Sequence, residues 1–171
     1  MQAAIGRLAP ALAQEGLPPL AVGIGIHTGP ACVGNLGSLH RFDYSAVGDT
    51  VNAAARIEQT SKVYGEPILV SGEVVAAAPA FGFLLVDEVR LRGRGEATRL
   101  YALVSGADGT NAAFDDFRRR HDAAIEAAIN GLPSAQDLLD RLSRTPEGSR
   151  HARLYAYHRA RTAESAPVPE A

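Results

Sequence analysis

The chain has 171 residues, 46% hydrophobic and 21% charged, which suits one packed domain or a domain plus an appendage and argues against wholesale disorder. A net charge of -2 without a polybasic run argues against binding to nucleic acid or a membrane surface through basic charge. A lone Cys32 cannot form an internal disulfide, no apolar run is long enough to span a bilayer, and the N-terminus lacks a signal-peptide pattern, so the sequence reads as soluble and cytoplasmic.

Ile5, Leu8 and Leu12 lie at helical spacing within residues 2–14, with Pro10 as a weak point. A turn at 16–20 leads into an expected buried strand at 20–28. Gly29 to Ser38, with three glycines at 29, 34 and 37, reads as a loop. A second strand is expected at 41–47, and Gly48-Asp49-Thr50 then opens a helix with Asp49 or Thr50 as its cap. A strand at 68–71, a short helix at about 72–78 and two strands joined across RGRGEA follow. The segment at 105–110 reads as a linker. Beyond it, Phe114, Phe117, His121, Ile125 and Ile129 recur at helical spacing, Ser134 caps a new helix, and a third covers Ser149 to Thr162. The last residues should be frayed.

The chemistry concentrates in the run from Phe42 to Arg56. On a helix, Asn52 and Arg56 are four apart and share a face, which looks toward the strand end where Ser45 sits. An amide, a guanidinium and a hydroxyl near one helix N-terminus suit an anionic, hydrogen-bonding ligand. The alternative is that Asn52 and Arg56 lie on a solvated face. His27 is expected to make a structural hydrogen bond, and Cys32 to be a small core residue. Asp43 and Asp49 are given turn and capping roles. His121 and His151 fit helix faces without ligand spacing.

Three stretches, GIGIHTGPACVGNLGS, DYSAVGDTVNAAARIE and the strand pair ending in LRGRGEATRLYAL, together resemble the signatures of class III adenylate and guanylate cyclases. The resemblance covers about residues 1–104. The tail is more loosely similar to the helical extension of bacterial cyclases with an extracellular CHASE-type sensor. The resemblance implies a ferredoxin-like α/β (α+β) sandwich with a mixed, largely antiparallel sheet, its N-terminal strands missing, plus a C-terminal helical appendage. The expected division is a cyclase half-domain at 1–104, a linker at 105–110, helices at 111–163 and a frayed tail at 164–171.

By resemblance, Asn52 orients the ribose and Arg56 stabilises the transition state as the 3′ hydroxyl attacks the α-phosphate. Ser45 stands where many members carry the adenine-reading aspartate and where the class IIIb subgroup carries threonine or serine instead. Its hydroxyl can accept from the adenine amine or donate to a guanine oxygen, so the preference for ATP comes from the resemblance alone. Arg92 and Arg94 match the lysines of the strand-pair turn, with Arg92 at the terminal phosphates; the other reading is a solvated hairpin tip.

The family's FxDIxGFT strand, its Gly-Asp pair and the specificity lysine do not occur in this sequence. No metal ligand is therefore assigned here. The two Mg²⁺ or Mn²⁺ ions the family uses would be held by an absent N-terminal half or a partner chain, in a homodimer or with another cyclase chain. The expected role is the base-reading and transition-state half of an adenylate cyclase, with the chain alone inactive. The alternative is a non-catalytic pseudo-cyclase that dimerises. The sequence leaves open a fragment, a natural remnant and a degenerate module, and any membrane attachment would come through an upstream sensor region.

Overall fold

The computed structural model describes residues 1–38, 41–91 and 95–164. Helix α1 (Gln2–Gln14) runs through Pro10 and buries no residue. Its start is tethered by the Gln2 amide, which donates to the Val22 carbonyl at 2.7 Å. Strand β1 (Ile24–Ile26) is shorter than the stretch expected at 20–28. Strands β2 (Cys32–Ser38) and β3 (Arg41–Val47) follow, then helix α2 (Asp49–Tyr64), strand β4 (Ile68–Ser71) and helix α3 (Gly72–Ala77). Strands β5 (Gly82–Val89) and β6 (Thr98–Ser105) precede helices α4 (Ala112–Ile129), α5 (Ala135–Ser143) and α6 (Ala152–Glu164).

The main sheet has the order β1-β4-β6-β5, with β1 parallel to β4 and the other neighbours antiparallel. This is the mixed, largely antiparallel sheet of the expected α/β fold. A separate antiparallel hairpin pairs β2 with β3, from Cys32 opposite Val47 to Ser38 opposite Arg41. The loop reading of 29–38 therefore gives way to a strand over most of its length. The glycines there had masked the period-2 pattern, and the hairpin partner supplies the backbone hydrogen bonds that the segment cannot make alone. Cys32 is exposed on this hairpin rather than buried in the core, because the hairpin stands apart from the main sheet.

Helices α2 and α4 each have one face to bury. On α2 the buried residues are Ala53, Ile57, Thr60, Ser61 and Tyr64; on α4 they include Phe117, His121, Ala124, Ile125 and Ala128. Both sets follow the i, i+4, i+7, i+8, i+11 spacing of one helical face. Strand β5 is buried on both faces along nearly its whole length, as an element packed on each side must be. One hydrophobic cluster joins α2, the sheet and the C-terminal helices, from Ile57 through Leu84 and Leu100 to Ile125, Leu139 and Leu154. The core of α4, α5 and α6 is thus continuous with that of the sheet.

Between these parts, Ala107–Gly109 forms a 3₁₀ turn. Asn111 then caps α4, its side chain accepting from the Phe114 amide at 2.9 Å. Ser134 stands at the N-cap of α5 without a side-chain cap bond. Among the described residues no helix is long and apolar enough to cross a membrane.

Candidate active site on the β3–α2 junction

Strand β1 reaches the site because it has glycine where other residues have side chains. A Cβ on Gly25 would overlap the Ala54 carbonyl oxygen and the Glu58 amide of α2. The helix is therefore seated directly on the strand backbone. After β1, the side chain of His27 is covered and its Nδ1 pairs with the Ser71 hydroxyl at 2.8 Å, with Glu73 at 3.8 Å. This is the structural hydrogen bond expected of it.

Gly48 makes the sharp turn from β3 into α2. Its φ of 148° lies where only glycine is comfortable, and it occupies the N-cap itself. The expected capping by Asp49 or Thr50 is not what the helix uses: no side-chain cap bond is present. Asp49 is instead the first helical residue, placing a carboxylate in the first turn. Thr50 turns outward and donates to the Pro30 carbonyl at 2.7 Å, pinning the helix start to the segment before β2.

On this frame Ser45 is half-buried in β3, opposite Gly34 of the hairpin. Asn52 is exposed in the first turn of α2, and Arg56 is half-buried one turn later. Both flank the buried stripe that starts at Ala53. Among the described residues, Ser45, Asn52 and Arg56 have no side-chain hydrogen bond or ion pair. Arg56 differs here from most described arginines of the C-terminal helices, which pair with carboxylates one turn away or across the fold. Arg92 and Arg94 lie outside the described residues. Gly95, next in sequence, borders an open cleft of about 680 Å³ lined also by Glu73, Thr98 and Arg99. Arg99 is already engaged by Glu88 and Glu126.

Among the described residues there is no group of three or more His, Cys, Asp or Glu arranged to hold a metal ion. The described residues therefore do not form a divalent-metal centre.

The adenylate and guanylate cyclase catalytic domain family matches residues 1–105. The chain belongs to that family. It is 40% identical over 98 residues to adenylate cyclase 1 of Rhizobium meliloti (strain 1021), a match covering 57% of this chain and 15% of the relative. It is 41% identical over 92 residues to the adenylate cyclase of Anabaena cylindrica, covering 52% of this chain and 18% of the relative. The chain thus spans less than a fifth of the length of either relative. The crystal structure of the guanylyl cyclase Cya2 superposes with a TM-score of 0.54 at 31% identity, covering 64% of this chain and 55% of that one.

Ser45, Asn52 and Arg56 all fall inside the cyclase match, and helices α4, α5 and α6 fall beyond it. Several interactions around the cyclase helix α2 escaped sequence reasoning. The Tyr64 hydroxyl donates to Asp87 at 2.9 Å, and Glu66 pairs with His151 at 2.7 Å. A carboxylate at Asp87 directly after the apolar run Phe83 to Val86 was the available signal, since such a group needs a partner when buried.

Proposed function

We propose that this chain is the base-reading and transition-state half of an adenylate cyclase site. The observation that carries the proposal is the pair Asn52 and Arg56, one turn apart in the first half of α2, with Arg56 half-buried and unpaired among the described residues. A guanidinium left without a carboxylate and screened from full hydration is suited to an anion that arrives with substrate.

In the proposed reaction the ribose 3′ oxygen of ATP attacks the α-phosphorus, and the bond from that phosphorus to the bridging oxygen of the β-phosphate breaks. Cyclic AMP and pyrophosphate result, and the 3′ hydroxyl proton passes to solvent. Asn52 orients the ribose. Arg56 faces the negative charge that builds on the phosphate oxygens. Ser45 reads the base edge, and Arg92 holds the terminal phosphates, with Arg94 a second substrate-binding cation. The names of the relatives support the ATP reading, while the Cya2 likeness keeps GTP as the competing substrate.

The family's chemistry needs divalent ions to clamp the triphosphate. We place their ligands outside these residues, on a second cyclase chain or an N-terminal half. In the first case the partner is a second cyclase chain, either another copy of this chain or a different one.

The test mixes the chain with a full-length cyclase whose own Asn and Arg positions are disabled, and measures cyclic AMP from ATP with Mn²⁺. Turnover is expected only in the mixture and should vanish with Arg56→Ala. A folded chain that neither restores turnover nor binds nucleotide with its partner would overturn the reading in favour of a dimerisation module.

A further inference from the structure

Helix α2 is held at its middle and at its end by different means. Its middle rests on Gly25 of β1. Its C-terminal end is held by α6 and the turn before it, which lie outside the cyclase family match. The Tyr64 hydroxyl donates to Asp87 Oδ2, and Arg161 of α6 donates to both oxygens of the same carboxylate at 3.0 and 2.7 Å. Tyr64 also packs edge-on against Tyr157, at 4.9 Å between ring centroids. The helix then ends at Gly65, in the left-handed conformation, with the Arg153 side chain packed over it. One residue later the buried Glu66 meets His151 Nδ1 at 2.7 Å. His151 in turn stacks on Phe117 and stands edge-on to His121 of α4.

Two polar latches, Asp87 with Arg161 and Glu66 with His151, therefore bind strand β5 and the end of α2 to the last helix and the turn before it. Such buried pairs add little stability over well-packed apolar residues of similar size. What they add is direction, because a forked guanidinium and a short carboxylate bond accept one geometry. A 16-residue helix is a rod about 24 Å long. With its pivot at Ala54 to Glu58, a displacement at Tyr64 is passed to Asn52 at about half its size, and misplacement on the ångström scale lowers catalysis.

We propose that α6 and its preceding turn brace α2, with Tyr64, Glu66, Asp87, His151 and Arg161 as positioning residues that set the tilt of the helix and so the place of Asn52 relative to Arg56 at its pivot. The catalytic meaning of the brace rests on the reading of α2 given above; its mechanical meaning does not.

The test uses the full chain with Glu66→Gln, which keeps the side-chain shape, and separately Arg161→Met. Amide hydrogen exchange is followed along α2 and, as an internal reference, at Leu100 and Ala102 of β6. The brace predicts exchange about tenfold faster at residues 52–60 with the β6 amides unchanged. Unchanged α2 exchange, or an equal rise in both elements, would overturn it. In the complementation mixture the same variants should lower kcat about tenfold and leave KM for ATP unchanged. A kcat that merely tracks the folded fraction counts against the brace. If the wild-type chain fails to complement at all, the catalytic reading falls, and the exchange data still decide whether α6 braces α2.

Discussion

The Nε2 of His121 lies 2.8 Å from the Leu85 carbonyl oxygen, while its Nδ1 lies 2.8 Å from the Tyr155 hydroxyl. A carbonyl can only accept, so the proton sits on Nε2, and the ring is neutral with Nδ1 accepting from Tyr155. The Leu85 amide is met from the same helix by Asp122 at 2.9 Å, and the next carbonyl, Val86, accepts from His158 at 2.7 Å. These groups lie where the pairing of β5 with β6 slips, between Leu85 and Asp87. Side chains of α4 and α6 thus satisfy the backbone that the irregular outer strand leaves unpaired.

Replacing His121 with Ala should be strongly destabilising. It opens a cavity and leaves the Leu85 carbonyl and the Tyr155 hydroxyl without partners, at a cost of about 3–4 kcal/mol. Urea unfolding at pH 7.5 measures it. A loss below about 1 kcal/mol would show that the ring is not holding the strand.

Stability should fall on mild acidification. Burial holds His121 in its neutral form, down to about 3, and also lowers His158. Both values lie below that of an unfolded histidine near 6.5, so the unfolded chain takes up protons first. The contribution is complete above about pH 6.5 and is lost as pH falls toward 3. For His121 alone the loss between pH 7.5 and pH 5 is about 2 kcal/mol. Urea midpoints at the two values should differ in that sense, and His121→Phe should reduce the difference.

Gly25→Ala should displace α2, because the new methyl meets helix backbone rather than a side chain that can swing away. The expected cost is about 2–3 kcal/mol. Complementation should be lost even in the variant that remains folded at 20 °C, as judged by circular dichroism. Full activity in a well-folded variant would mean that the seat of α2 is looser than its contacts imply.

A protease nick at Gly106–Gly109 should leave both pieces together. The turn there is exposed, but Ile57, Leu84, Ile125 and Leu154 belong to one core. Gel filtration of the nicked protein should show one species until denaturant is added. Separation in native buffer would establish residues 1–104 and 111–163 as independent units.

Much of the helical framework was legible because local spacing reports it. The stripe from Ala53 to Tyr64 and that from Phe117 to Ala128 follow the helical period, and Gly48 marks the turn before α2. The same run placed Ser45, Asn52 and Arg56 on neighbouring elements. What local spacing cannot report is pairing over distance. His121, His158 and His151 find their partners 36, 72 and 85 residues away. The β2–β3 hairpin was hidden for a related reason: its glycines weaken the strand pattern until the partner strand is in place. Exposed Cys32 follows from that hairpin.

The carbonyls of Leu85 and Val86 bear on where the polypeptide can be shortened. A boundary drawn where the cyclase match stops, at residue 105, would remove His121, Asp122 and His158 together. The shortened product would present strand β5, with its Phe83, Leu84, Leu85 and Val86, as an open hydrophobic ribbon ready to recruit another strand. Insolubility of such a truncation would then report a lost cover over one strand and would carry no information about catalysis.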